Sequence, residues 1–422
     1  MWTLAVKRDG AMQRMINRFV RPIAIVGGLL CVATGAAAQM AHHHGAESDP
    51  KCADTGLTCA TQVTPTFAAD GTLWIAWAAN RVVSVAHSSD RGHTFSAPVA
   101  VNSEPLDLDW GPDSRPNIAV DGDGRLFVAF ARFKDQKFNG EVFYSRSTDG
   151  GRSFAPPTPI TTNAESQRFQ VLALDADGSL FAAWLDKRNR APAAERGEKY
   201  VGAGLAFASS RDHGATFSEA RIAFDNTCEC CRLGIAFASA GRPVVVFRNA
   251  FDKTVRDHAI VTFADPQTPG PIRRVSVDDW KTDVCPHQGP TLAIGADGSY
   301  HVAWFTNGSA RKGLFYASST DRGQTFSPPM PIGDPARNPA RPFLLAANHT
   351  LWLVWKEFDG EHTTVPVMVS KDNGRSWSEP KIAAQTGDVS DHPLLVSNGQ
   401  QVFLSWQSRA EGYRLLPLEA GE

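Results

Sequence analysis

Short apolar runs recur along most of this chain, alternate with polar positions at period two, and are bounded by D-G, N-G and similar turns. The clearest runs are PTFAADGTLWIAW (65–77), PNIAVDGDGRLFVAF (116–130), QVLALDADGSLFAAW (170–184), LGIAFASAGRPVVVF (233–247) and PTLAIGADGSYHVAW (290–304). Looser copies are PFLLAANHTLWLVW (342–355) and PLLVSNGQQVFLSW (393–406). The closing aromatics stand at 77, 130, 184, 247, 304, 355 and 406, so the steps are 53, 54, 63, 57, 51 and 51 residues. Seven copies at that spacing predict a repeat architecture, and the period-two, Val-, Ile-, Phe- and Trp-rich pattern excludes helical solenoids.

A second motif keeps step with the first. SSDRGHTF (88–95), STDGGRSF (147–154), SRDHGATF (210–217), STDRGQTF (319–326) and SKDNGRSW (370–377) share the form S-x-D-x-G-x-[TS]-[FW]. Each unit therefore reads as four antiparallel strands: a short apolar strand, an alternating strand ending in Trp or Phe, a third leading into the Ser-Asp turn, and a fourth leaving it. Four strands every fifty-odd residues, repeated radially, predict an all-β propeller of four-stranded antiparallel blades, with seven repeats counted.

On these residues the chain resembles the sialidase (neuraminidase) superfamily, whose Asp-box or BNR repeat is this turn; the likeness covers roughly residues 60–415. The resemblance implies a propeller, best known as six-bladed, so six blades stand as the alternative to seven. It also implies that the boxes are structural, because the Asp accepts bonds within its own turn, Gly supplies φ > 0 and the hydroxyls tie the flanks. Asp90, Asp149, Asp212, Asp321 and Asp372 are accordingly not catalytic candidates. Unit four has no box, and unit seven shows three strands; the segment before Pro65 is expected to supply the missing outer strand.

Of the 422 residues, 42% are hydrophobic, and 42 Lys+Arg stand against 44 Asp+Glu. That balance argues against a nucleic-acid partner and leaves ionic recognition to local clustering. Residues 1–38 read as a signal peptide: Arg18 and Arg21 lie before an apolar stretch too short for a membrane span, and Ala36-Ala37-Ala38 offers a cleavage site. The expected product is exported, periplasmic or extracellular, with no membrane span, a His- and Cys-containing segment at 39–60 and the propeller at 61–418. Cys31 would leave with the signal, so six cysteines remain and disulfides are the default, Cys52 with Cys59 first.

Strand connectivity puts the residues before each first strand on the rim opposite the Ser-Asp turns. Those positions carry Arg115, Arg168, Arg232, Arg341 and His392. Guanidinium forks bind planar anions bidentately, so such a rim suits an anionic glycan or small anionic ligand. By resemblance, the four arginines are where a carboxylate-binding triad belongs, and an exo-glycosidase needs a tyrosine nucleophile, a glutamate beside it and an aspartate acid/base. Tyr413 with Glu411, and Asp113, fill those roles, with Asp186 and Asp391 as further acid/base candidates. The R-I-P form of the family's first arginine is shortened here to Arg115-Pro116 and Arg341-Pro342.

Two entries carry other chemistry. DNTCECCRLG places Cys228, Cys230 and Cys231 before unit four, and DVCPHQGP places Cys285 and His287 before unit five. Two readings stand: disulfides pinning these units together, or a thiolate–imidazole site for copper or zinc. The run His42-His43-His44 is compatible with the second. A non-catalytic exported propeller with such a metal site or a disulfide-braced interaction surface is the alternative to acidic-sugar recognition.

Overall fold

The computed structural model describes residues 54–420 together with Cys52, apart from positions 240, 283 and 285. The expected signal peptide, Cys31, the histidine run and Cys285 lie outside the described residues, as does most of the segment before Asp54.

The described chain is all-β apart from one short helix, Arg190–Glu195, and two 3-10 turns. Seven strand units follow one another, each of antiparallel neighbours in sequence order. The second strand of each contains the closing aromatic: Leu73–Ala79, Leu126–Phe133, Leu180–Asp186, Arg242–Phe251, Tyr300–Asn307, Thr350–Phe358 and Val402–Ser408. Units three and four are joined into one nine-stranded sheet by a single pairing, Thr227 with Asn249.

Packing explains why those second strands read as nearly continuous apolar runs. Every residue of Leu73–Ala79 is buried. Trp74, Ala76 and Ala78 face the cluster shared with unit two, while Leu73, Ile75, Trp77 and Ala79 face the cluster that includes Leu415 and Tyr413 of unit seven. Side chains alternate across a strand, so a sheet packed on both faces needs apolar residues at both parities. Among the described residues there are seven such clusters, one between each pair of neighbouring units and one between the last and the first. The first strands follow the same order. Val63–Phe67, Asn117–Val120, Gln167–Leu174, Gly234–Ser239, Thr291–Ile294, Ala340–Ala347 and Leu394–Ser397 each lie against the next, and the last lies against the first.

The closing aromatics sit at the centre of this packing: Trp77, Trp184, Trp304, Trp355 and Trp406 are fully buried. Each indole N–H still finds an acceptor, as buried tryptophan requires. Trp184 donates to Asp186 (3.0 Å), Trp304 to Asp278 (2.7 Å) and Trp355 to Glu357 (2.8 Å).

All five Ser-Asp turns share one geometry. The Ser hydroxyl donates to the Asp at 2.7–2.8 Å and accepts from the Gly N–H at 2.8–2.9 Å. The Thr or Ser four residues after the Asp donates to it from its backbone (2.8–3.0 Å) and its hydroxyl (2.6 Å). These bonds, the hydroxyl's first, hold Asp321 and Asp372 down to about 2 and the other three lower still. Glycine is obligatory in the boxes of units three and six. A Cβ on Gly214 or Gly374 would overlap the hydroxyl of Tyr144 or Tyr316 from the preceding unit, and both glycines have φ near +70° to +78°. Where unit four has no box, Gln267 reaches back to unit three and donates to Ser209 (2.6 Å) and Ser218 (3.2 Å).

Among the described residues unit seven has three strands, Leu394–Ser397, Val402–Ser408 and Gly412–Leu418. Most of the segment expected to supply its outer strand lies outside the described residues. The described part forms the 3-10 turn Leu57–Cys59, tied by the Cys52–Cys59 disulfide, and packs on unit seven through side chains. Gln407 donates to the Ala60 carbonyl at 2.9 Å, a polar cap on this seam.

Candidate functional site

The residues preceding the first strands converge on one carboxylate. Asp113 stands in the turn closed by the Ser114 N–H to Gly111 bond (3.0 Å), just before unit two. Arg232 approaches one of its oxygens at 3.4 Å and Arg341 the other at 3.3 Å. Two imidazoles stand beside it, His392 at 3.9 Å and His287 at 4.0 Å. Units two, four, five, six and seven thus contribute to one cluster, over a cavity of about 230 Å³ lined by first-strand side chains such as Leu172, Ile235, Phe343 and Leu395.

Each arginine is positioned differently. Arg232 is cradled by Gly289, where any Cβ would overlap its side chain and backbone, and it donates to the Pro342 carbonyl at 2.8 Å. Burial lowers its pKa, and Asp113 works against that shift. Arg341 sits in a β-bulge: Ala340 pairs with Lys356 and Phe343 with Val354, so Arg341 and Pro342 together oppose Trp355. Its φ is +59°, a region costly for a non-glycine residue, and His287 has φ +50°. The two strained residues flank the same aspartate.

Arg115 lines the same cavity but is held by another carboxylate. It donates to both oxygens of Asp391, at 3.0 and 2.5 Å, and to the carbonyls of Val63 and Pro112. Asp391 is 2% exposed, and burial raises its pKa against the pull of Arg115. Burial also holds His392 well below the usual imidazole range, with Arg341 and Arg232 adding to the effect, so it stands neutral. Lys356, which donates to Ser390 O at 3.0 Å, is brought down to about 8 by burial. The apolar pattern carries no signal for the proximity of Lys356 to Asp391.

Three of the four rim arginines come together and the fourth does not. Arg168 pairs with Leu185, one position beyond Trp184, so it matches Ala340 in unit six; Phe169 occupies the place of Arg341. The same bulge therefore turns Arg168 away, into two bonds with Asp109 (2.6 and 2.9 Å) and onto the rings of Phe133 and Phe169. The expected role of Arg168 in the anion site is corrected to bracing unit three on unit two.

The expected nucleophile pair is also corrected. Tyr413 packs edge-on to Phe95 and accepts a hydrogen bond from Ser405 (3.1 Å), while Glu411 binds Ser408 and, at 3.6 Å, Arg414. Neither lines the cavity. The other four tyrosines are placed no better. Tyr144 and Tyr316 lie against box glycines, Tyr200 donates to Asp225 (2.9 Å), and Tyr300 is buried between units four and five. Asp186 is also spoken for, by Arg188 and Trp184.

A separate cluster lies between units three and four. Cys228 and Cys231 are free thiols with sulfurs 3.7 Å apart, both 1% exposed, and Cys230 Sγ is 3.8 Å from Cys228. Cys230 is itself disulfide-bonded, so two bridges among these cysteines do not form. The three sulfurs lie within 4.8 Å of one another with no other described His, Cys, Asp or Glu in the group. His287, expected as a nitrogen ligand, stands instead beside Asp113 and the Phe169 ring.

No known protein-family model matches the chain, and no curated protein matches it in sequence. Solved structures do match in fold. A polysaccharide lyase of family PL25, an ulvan lyase, superposes with a TM-score of 0.54 at 10% identity, covering 85% of this chain and 93% of that one. A Hadza microbial sialidase gives 0.50 at 14% identity, over 82% of this chain and 76% of its own. A protein of unknown function from Dyadobacter fermentans gives 0.50 at 15%, over 75% and 94%. Among the described residues no helix is long and apolar enough to cross a membrane.

Proposed function

We propose that this chain is an exported seven-bladed β-propeller of the sialidase-like kind that binds an acidic glycan at the cluster around Asp113. The observation that carries the reading is the imbalance of charge there. With His392 neutral, four cations (Arg115, Arg232, Arg341 and Lys356) stand against two carboxylates (Asp113 and Asp391), an excess of two. Arg115 and Asp391 satisfy each other at short range, whereas Arg232 and Arg341 hold Asp113 only at 3.3–3.4 Å. Guanidinium forks that hold their carboxylate only at that range, with Arg232 lining the cavity, are suited to a carboxylate or sulfate. Two structural neighbours act on, or are bound to, sugars of that class: the sialidase, and an ulvan lyase bound to a glucuronate–rhamnose-3-sulfate repeat.

The proposal is one of recognition. Hydrolysis of the sialidase type needs a tyrosine and a carboxylate at the anion site, and none of the five tyrosines lines the cavity. Calorimetric titration with sialyllactose, a glucuronate–rhamnose-3-sulfate oligosaccharide and a neutral arabino-oligosaccharide tests it. At least one acidic ligand binds and the neutral one does not, with affinity lost about tenfold or more in Arg341→Ala. Equal binding of neutral and acidic sugars, or an unchanged affinity in that variant, removes the proposal. Release of sugar from a fluorogenic sialoside would restore hydrolysis as the reading.

A further inference from the structure

The cysteine cluster is independent of the glycan reading. We propose that Cys228 and Cys231 form a buried site for a single monovalent soft cation, Cu(I), held between their two thiolates.

The argument begins with Arg248. Its side chain is 1% exposed, and among the described residues no carboxylate pairs with it. It lies over the Trp280 ring at 3.8 Å, donates to the Arg256 carbonyl at 2.8 Å, and points Nη1 at Cys231 Sγ, 3.9 Å away; its Nη2 has no partner. A buried guanidinium without a counter-charge is costly, so this arginine calls for an anion on the sulfur side. Two thiolates around one Cu(I) carry a net charge of minus one, which matches it. Two thiolates around Zn(II) carry none and leave the guanidinium uncompensated.

Ligand number points the same way. Zinc takes four ligands, and the group here offers two free thiols and a third sulfur already in a disulfide, with no imidazole or carboxylate. Soft thiolates select Cu(I), which is content with two or three sulfurs. The sulfurs are already 3.7 Å apart, and the step balances: as Cu(I) enters, both thiol protons leave, and the neutral pair becomes a bis-thiolate complex of net charge minus one beside Arg248. Burial at 1% argues against the rival use of this C-x-x-C pair, thiol exchange with a protein substrate, which needs an accessible sulfur.

The test uses the whole chain under anaerobic conditions, titrated with Cu(I) against a bicinchoninate chromophore, with the bound ion's ligands read by copper X-ray absorption. One Cu(I) per chain is expected to leave the chromophore and to show two sulfur ligands; Cys228→Ser and Cys231→Ser each lose the ion. Arg248→Gln, which leaves both sulfurs in place, weakens binding by about tenfold or more. The absorption readout on the unaltered chain keeps the test decisive if a variant fails to fold. Cu(I) that stays with the chromophore, a bound ion without two sulfur ligands, equally tight binding of Zn(II), or a Cys228–Cys231 disulfide that exchanges with an added protein disulfide would each overturn the assignment.

Discussion

Arg115 and Asp391 are 276 residues apart in the chain and meet through two hydrogen bonds, at 3.0 and 2.5 Å, with both side chains nearly out of solvent. Asp391 also accepts the Val63 N–H at 3.2 Å, so the pair reaches from unit two across the start of unit one to unit seven. Removing one partner strands a buried charge. Arg115→Ala is expected to cost about 3–5 kcal/mol in urea unfolding. The double variant Arg115→Met, Asp391→Leu is expected to lose much less, and an equal loss in both would show that the pair itself, rather than the orphaned charge, is what matters.

Asp113 sits where the proposed ligand's anionic group would go. Asp113→Asn is therefore expected to tighten binding of the acidic oligosaccharide, measured by the same calorimetry, because a competing negative charge is removed from between Arg232 and Arg341. Weakened binding would make Asp113 a ligand-contacting group instead.

Lys356 gives that binding a pH dependence. Burial depresses its pKa to about 8, and of its charged neighbours Asp391 favours the protonated form while Arg341 opposes it. The lysine is charged below that value and neutral above it, so affinity for an acidic ligand falls as pH rises through about 8. Lys356→Met is expected to flatten the profile over that range. For folding the sign reverses: the buried charge is a penalty at neutral pH, so stability rises with pH between the folded value and the ordinary lysine value.

The five box carboxylates act at the other end of the scale. Hydrogen bonds hold all of them below the ordinary aspartate value, so their contribution to stability is present above about pH 4 and is lost as pH falls through their folded values. Thermal melts should be nearly flat from pH 5 to 7 and fall steeply below about 4. Asp321→Ala should lower the plateau and soften that fall.

Tyr144 and Gly214 can be separated in the same way. The Tyr144 hydroxyl is buried without a partner against Gly214, so Tyr144→Phe should be neutral or stabilising. Gly214→Ala should cost more than Gly150→Ala, which shares the positive φ but has open space around it. A double-mutant cycle of Gly214→Ala with Tyr144→Phe should show coupling of about 0.5–3 kcal/mol.

The repeat was legible because its physics is local: each second strand buries both faces, so its apolar run needs no partner to be recognised, and the box closes on its own eight residues. The rim was half legible. Arg115, Arg232, Arg341 and His392 stand at similar offsets from the closing aromatic and do converge. Arg168 was misread because it stands one residue earlier than Arg341 in a shared bulge: opposite Trp184 the bulge seats Phe169 where unit six seats Arg341, and a bulge leaves no mark in an apolar pattern. Tyr413 and Glu411 are close in sequence, yet Tyr413 belongs to the packing of the last seam. The short helix Arg190–Glu195 likewise had no periodic signal, being less than two turns long.

The seam between Ala60 and Gln407 brings the beginning and the finish of the described polypeptide side by side. Gene order is then arbitrary with respect to shape. A version of residues 54–420 with positions 54 and 420 spliced by a short linker, and cut open in any turn between units, should reach the same architecture, since no neighbour relation depends on which unit the ribosome makes first.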